Sequence, residues 1–404
     1  MAKDENKRYA ALEITSSAIR LVYGYAQDGK VYVLHALESR VSALENSYVI
    51  DQDLLANAIR GLVTSVNETL KIKIKSVILA LPPVNLLFCR ESSTTTTIGT
   101  DNVVVQIDII NAISQLKKYK FSEGLKIVDV VPYKYILDNK EYSNVAPIGK
   151  VSQTLTVNAS IFAMEEKLVK TYLEAVEKAG LHVRQAVVAP YATSLYMATE
   201  EDIPSSYYLL NIGSENTTLT QVAQNSLIMQ NTCIKFGSDM LTSELSTRLG
   251  VSFKEANMLK EKYGLDHSPS FKVSVYQNIE LDDIYNSLIR ILDPLAIAIK
   301  TQIDSWNNKE QQYLPLIITG GGCKLYGLKS FLEQKLGINV IDYTPYSLGA
   351  RDKAYQTCLG LISYADVHLS NEEENELSIS TISRTDEKIN DKKRYLDYDI
   401  DEEL

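Results

Sequence analysis

Two distant stretches of the chain open on one plan: Leu12-Glu13-Ile14-Thr15-Ser16-Ser17 and Leu210-Asn211-Ile212-Gly213-Ser214-Glu215. In each, a polar residue interrupts an apolar strand, a turn of small residues follows, and two more strand-like runs come next. Such self-similarity constrains the fold strongly, because each copy must be the same supersecondary unit. Two matched halves leave a cleft between them, and small-molecule sites favour such interfaces. The 404 residues suffice for both halves and further units besides.

Alternating apolar residues predict strands at Tyr9–Ile14, Ala18–Tyr25 and Val31–Leu37, with Gln27-Asp28-Gly29-Lys30 as a turn. Helical spacing follows over Asp51–Leu70, then a short strand, Lys75–Leu81, stopped by Pro82-Pro83. Residues 8–83 thus begin the first half. From 84 to 162 the pattern changes to strands at Asn85–Glu91, Leu125–Leu137 and Gln153–Phe162 around one helix, Val103–Lys120. This is the pattern of a small α+β unit inserted into the first half. The first half resumes over 163–203 with an amphipathic helix (Glu165–Ala179, ended by Gly180), a strand (His182–Val188) and a helix entered through Pro190.

The second half, 204–368, repeats the opening with strands at Tyr208–Ile212, Thr217–Ala223 and Ser226–Lys235. Helices Ser238–Leu249, Ser252–Lys262 and Asp282–Trp306 make an outer subdomain of 238–306. A buried strand, Leu314–Thr319, runs into Gly320-Gly321-Gly322; helix Leu325–Leu336, strand Asn339–Asp342 and helix Lys353–Ser363 complete the body. Thr94–Thr97 reads as strand material, and Trp306 as a packing residue. The predicted class is α/β.

The net charge of −10 is unevenly spread: residues 371–404 hold 12 acidic and 5 basic residues, which leaves −3 for the rest. A body so nearly neutral makes a poor non-specific nucleic-acid binder, which needs clustered Lys and Arg against phosphate. Four cysteines without a C-x-x-C pair, and four histidines (His35, His182, His267, His368) without ligand spacing, argue against a zinc site or a disulfide framework. No apolar run reaches the roughly 18 residues of a membrane span. The charged start, Met1–Arg8, lacks the apolar core of a secretory signal, so a cytosolic location is expected. Residues 369–404 read as an acidic, disordered, solvating tail.

A strand that ends in a tight turn of small residues exposes backbone N–H groups, an array that binds phosphate without side-chain charge. Thr15, Ser16 and Ser17 in one half, and Gly213, Ser214, Asn216, Thr217 and Thr218 in the other, are candidates to grip a polyphosphate from two sides. Ordinary hairpin turns are the alternative for either loop alone. Gly320, Gly321 and Gly322 follow a buried strand, and glycine lets a backbone approach a flat ligand closely.

The ordered set of Leu12–Ser17, Pro190-Tyr191-Ala192-Thr193-Ser194-Leu195-Tyr196, Leu210–Thr218 and Ile318-Thr319-Gly320-Gly321-Gly322 resembles the phosphate, connecting, second phosphate and adenosine motifs of the actin-like ATPase superfamily. The inserted unit is similar to that of the FtsA family of bacterial cell-division proteins. So are Ala175-Val176-Glu177-Lys178-Ala179-Gly180-Leu181, Ala256-Asn257-Met258-Leu259-Lys260 before Tyr263-Gly264, and Gly327-Leu328. The resemblance covers about residues 8–365. It implies a duplicated actin-like, ribonuclease-H-like fold with ATP and Mg²⁺ between the halves. Phosphates would lie against Thr15–Ser17 and Gly213–Thr218, and adenosine near Gly320–Gly322, Gly237 and the helix bearing Asn257 and Lys260. Glu13 and Asn211 stand where the superfamily has acids that organise water around Mg²⁺. The resemblance further implies polymerisation, recruitment of other division proteins, and capture of the C-terminal peptide of FtsZ on the outer subdomain, with Arg290 and Lys300 as candidate partner residues.

Four departures qualify it. Glu13 and Asn211 replace aspartates, Glu215 interrupts the second loop, and Ala18 stands where division proteins often carry a basic residue. Hydrolysis is therefore expected to be slow or absent. The tail lacks a basic amphipathic helix, so direct membrane binding is not expected, and the inner membrane face at the division site would be reached through partners. Two other readings stay open. One is a pilus-type actin-like assembly adaptor. The other is a small-molecule kinase of the same superfamily, although no motif for its catalytic carboxylate is present.

Overall fold

The computed structural model describes residues 7–138, 140–141, 145–267, 273–307 and 312–369; the acidic tail from 370 onwards lies outside them. The first half opens as a meander of β1 (Tyr9–Ile14), β2 (Ala18–Gln27) and β3 (Lys30–Arg40). A small hairpin, β4 (Leu44–Glu45) and β5 (Tyr48–Val49), leads to α1 (Gln52–Leu70) and β6 (Ser76–Leu81). Asp51 caps α1 by accepting from the Leu54 amide at 2.9 Å. The inserted unit comprises β7 (Leu87–Thr96), α2 (Gln106–Leu116), β8 (Leu125–Leu137), β9 (Lys140–Glu141) and β10 (Thr154–Glu165). Then α3 (Glu166–Lys178), β11 (His182–Val188) and α4 (Ala189–Met197) close the first half.

The second half runs β12 (Tyr207–Ile212), β13 (Thr217–Ala223), β14 (Leu227–Ile234), α5 (Ser238–Leu249), α6 (Phe253–Tyr263), a short hairpin of β15 (Ser274–Tyr276) and β16 (Ile279–Glu280), and α7 (Leu281–Trp306). It ends with β17 (Leu316–Thr319), α8 (Leu328–Leu336), β18 (Val340–Asp342) and α9 (Gln356–His368).

The two large sheets have the orders β11-β6-β1-β2-β3 and β14-β13-β12-β17-β18. Read outward from β1 and from β12, these are one topology: two antiparallel neighbours on one side, two parallel strands on the other. The expected duplication is therefore present strand for strand. Every residue of β1 is buried, as is usual for a strand covered on both faces. The insert is a separate four-stranded sheet, β7-β10-β8-β9, with α2 against it over its own small apolar clusters.

The structure moves several expected boundaries. β7 runs on to Thr96, because Thr94 pairs opposite Thr156 on β10. The long helix expected over Val103–Lys120 is only α2, preceded by a 3₁₀ turn at Thr100–Asn102. No α-helix starts directly after the glycine run: Gly321–Lys324 is a 3₁₀ turn, and α8 begins after Gly327 in the left-handed conformation. Trp306 packs as expected, against Tyr208. Last in sequence, α9 joins the core of the first half through Cys358, Leu359, Leu361 and Ile362. It crosses α4 so closely that a Cβ on Gly360 would overlap the Ala192 carbonyl.

Candidate functional site

The loops Thr15–Ser17 and Gly213–Asn216 occupy equivalent places, at the β1–β2 and β12–β13 turns. Thr15 N and Oγ1 both donate to the Ala18 carbonyl, at 2.9 and 2.8 Å. Gly213 N donates to the Asn216 carbonyl at 2.9 Å. The carbonyls of Gly213 and Ser214 then accept from Ser238 N and Asp239 N, at 2.9 and 3.0 Å, which ties this loop to the start of α5. The amides of Ser16, Ser17, Ser214, Glu215 and Asn216 are left with no hydrogen bond among the described residues. Both loops line one cavity of about 100 Å³, together with Glu13, Asn211, Thr218, Pro82 and Pro83. That volume holds only a few waters. A second cavity of about 510 Å³ adjoins it, lined by Asn46, Ser214–Asn216, Lys235 and the α5 residues Asp239 and Glu244.

The carboxylates around these cavities differ in what satisfies them. Glu13 faces Arg20 across the β1–β2 register and accepts from its guanidinium at 3.1 Å; Glu38 accepts from the same group at 2.6 Å. Burial opposes the Arg20 charge, but Glu13 and Glu38 outweigh it and hold the guanidinium above its ordinary range. One oxygen of Glu13 is thus committed. Glu215 lines both cavities, yet its Oε2 is enclosed and without a hydrogen bond among the described residues, as is Thr217 Oγ1. At Asp239, burial pushes the carboxyl pKa up, Lys260 pulls it down and Glu215 adds to the rise. The free amides fit phosphate oxygens. An enclosed carboxylate oxygen beside them calls for a cation, because a bare polyphosphate there meets like charge. The donor set therefore fits a polyphosphate that carries Mg²⁺ with it.

The expected adenosine residues lie further round. Gly237 begins α5, and a Cβ there would overlap the Ser214 carbonyl. Lys260 is buried; its Nζ donates to Thr242 Oγ1 at 2.7 Å and to the Ser238 carbonyl at 3.3 Å, bracing α6 against α5. Burial lowers its pKa, against the pull of Asp239. Asn257 donates to Glu261 at 2.8 Å. Gly320 has φ +85° and sits under Asn211 Oδ1, Gly322 packs on Ile212, and only Gly321 has open space above it. The glycine run thus serves the packing of β17 against β12. These two cavities are lined by the phosphate loops and not by Asn257, Lys260 or Gly320–Gly322, which lie just behind them: Gly320 touches Asn211, and Lys260 reaches the Ser238 carbonyl at the start of α5.

Arg290 pairs with Glu244 at 3.5 Å, while Lys300 pairs with Asp304 at 3.1 Å and sits over the Tyr313 ring. Ten residues of helix separate them by about 15 Å, and they turn to different neighbours. Leu295, between them on α7, is buried in the core. Arg20, Asn46, Asp239 and Glu244 join the site unforeseen. Of these only Arg20 had a signal, seven residues after Glu13 around a tight hairpin.

A family model described as "SHS2 domain inserted in FTSA" matches residues 86–163, and one described as "Cell division protein FtsA" matches residues 208–360. Together they cover 231 of the 404 residues. The chain belongs to the FtsA family. It is an actin-like cell-division protein. The cell division protein FtsA of Streptococcus pneumoniae is 22% identical over 367 residues, covering 88% of this chain and 80% of the relative. That of Bacillus subtilis is 20% identical over 376 residues, covering 90% and 84%. Among solved structures, the PilM–PilN type IV pilus biogenesis complex has a chain that matches with a TM-score of 0.61 at 18% identity, covering 88% of this chain and 97% of that one. MreB5 of Spiroplasma citri bound to ADP matches with a TM-score of 0.51 at 11% identity, covering 93% and 98%. These likenesses establish the actin-like fold of this FtsA-family chain. The match to the inserted domain agrees closely with the unit read from sequence at 84–162.

Proposed function

We propose that this FtsA-family protein binds ATP with Mg²⁺ in the cleft between its halves, polymerises, and recruits or tethers FtsZ and other division proteins. One observation carries the nucleotide reading: two turns at equivalent places in a duplicated fold face a single cavity, and five of their amides have no partner among the described residues. Thr15–Ser17 and Gly213–Thr218 would hold the phosphates, with Gly237, Asn257, Lys260 and Gly320–Gly322 round the adenosine. Glu13 and Asn211, acting through water, and Glu215 would face the metal. Mg²⁺ supplies the charge neutralisation that lets phosphates sit beside Glu215.

Hydrolysis is slow or absent on this reading. Glu13 is held by Arg20 and Asn211 has no charge, so neither strand-end position offers a free carboxylate to order an attacking water. The family supports FtsZ as a partner and the division site as the location; Arg290 and Lys300, being separated, would contact such a peptide at two points of α7. The membrane would be reached through partners.

Calorimetry with ATP, with and without Mg²⁺, tests the first claim: heat is expected only with the metal, and none at millimolar ATP overturns it. Rapid steady-state phosphate release would overturn the slow-hydrolysis claim. A pull-down with the FtsZ tail peptide tests the partner; a negative result with intact filaments leaves the pilus-type adaptor as the better reading. A sugar-kinase screen is expected to be blank.

A further inference from the structure

Between β3 and α1, the hairpin of β4 and β5 reaches the cleft from the first half. Its register pairs Leu44 with Val49 and Glu45 with Tyr48, so Asn46 and Ser47 alone make the turn. Both have positive φ, 49° and 68°, as the two-residue turn that matches strand twist requires. Asn46 is at ease there. Ser47 is not, because the second central place of such a turn favours glycine. A side chain kept beside a cavity, at a place that suits glycine, points to a use for that side chain. The second half has no such hairpin: only Lys235–Gly237 join β14 to α5.

Ser47 lines the smaller cavity and Asn46 the larger, so the tip stands where the two meet, and Ser214–Asn216 form the wall that both cavities share. The hairpin is braced on several sides. Tyr172 on α3, fully buried, donates to the Ser47 carbonyl at 2.9 Å. Tyr48 donates to Glu165 Oε2 at 2.6 Å. The amides of Ile50 and Asp51 both donate to the Ala43 carbonyl, at 2.8 and 3.2 Å, and Ala43 and Leu44 are buried in the core of the first half. By contrast, Ser47 Oγ, the Asn46 side-chain amide and the backbone amides of both residues make no hydrogen bond among the described residues. Ser47 is itself buried, and an enclosed polar group gains most from a ligand that supplies its missing partner. The tip therefore offers unused donors across the cleft from the free amides of Ser214–Asn216, and phosphate oxygens are acceptors that suit both.

We infer that this tip is a third phosphate-binding element: Ser47 Oγ and the amides of Asn46 and Ser47 donate to the phosphate chain of the nucleotide where it passes from the smaller cavity to the larger. Tyr172 is the positioning residue that holds the tip at that height. The inference rests on the nucleotide reading above, and adds to its two equivalent turns a contact that only the first half makes.

Calorimetry of the full chain with ATP and Mg²⁺ tests it through three variants. S47G keeps the turn, which glycine suits, and removes only the hydroxyl; it is expected to weaken binding about tenfold, the scale of one hydrogen bond to a charged group, with thermal melting unchanged or higher. N46D places a negative charge beside the phosphates and should weaken binding about tenfold, while N46K should tighten it. S47G that binds as tightly as the unaltered chain overturns the proposal and leaves the nucleotide reading standing. Equal weakening by N46D and N46K also overturns it, since the tip would then act by its shape and not by contact with phosphate. An unaltered chain that takes up no ATP removes both readings together.

Discussion

Glu215 decides more about the cleft than any other side chain. It stands in a loop of otherwise free amides, its Oε2 enclosed and unpartnered. Two unit charges about 4 Å apart repel by several kcal/mol at the effective dielectric of a protein surface. Glu215→Gln removes that repulsion and should raise affinity for metal-free ATP by about tenfold or more, while ATP with Mg²⁺ changes much less; titration in the presence of a chelator reads this directly. Arg20 is the second such residue. It sits between Glu13 and Glu38, so Arg20→Ala strands a buried Glu13 and should cost about 3–5 kcal/mol, seen as a lower denaturation midpoint. Gly360 is the third. Its Cβ has no room against Ala192, and Gly360→Ala should cost about 1–3 kcal/mol on thermal melting.

At the scale of elements, the seam between β8 and α9 carries a titration near neutrality. Burial pushes the Asp129 carboxyl up to about 7, against the hydrogen bonds from Tyr364 and the Val130 amide and the charge of Lys117. A carboxyl raised in the folded state binds its proton more tightly there than in the unfolded chain. Its contribution to stability is therefore full below about pH 4, is lost as pH rises towards 7, and is flat beyond. Asp129→Asn should flatten the fall in melting temperature between pH 5 and pH 7.5, a difference on the order of 1–2 kcal/mol once partial solvent access is allowed for. If the two chains show the same pH dependence, the seam does not titrate there. Element boundaries were the least legible part of the sequence. The α2 helix starts later than periodicity implied because Val103 and Val105 hold extended backbone, and the helix after Gly322 starts later because Gly327 is in the left-handed conformation.

For the whole molecule, the two cavities set the condition for function. On the proposed reading a nucleotide would take up both the cavity of about 100 Å³ between the phosphate loops and the one of about 510 Å³ that shares Ser214–Asn216 with it. The crossing of α4 and α9 lies in an apolar cluster that also takes in Tyr207, Leu209 and Ile317 of the second sheet, so it ties the two sheets together. Hydrogen exchange with ATP and Mg²⁺ should slow at Ser16, Ser17 and Ser214–Asn216, and change along α4 and α9. Exchange that alters only at the chain termini would mean that the cleft stays empty.

The sequence by itself determined the duplicated strand plan, the inserted unit and the two facing turns. Those features are written in local alternation and in small residues at fixed places, which a single strand or turn needs for its own geometry. Only the tertiary structure decided that Glu13 is tied to Arg20, that Lys260 braces two helices, that the glycine run packs on Ile212, and that α9 belongs to the first half's core. Each of these depends on which residues meet across the fold, and sequence spacing does not encode that distance.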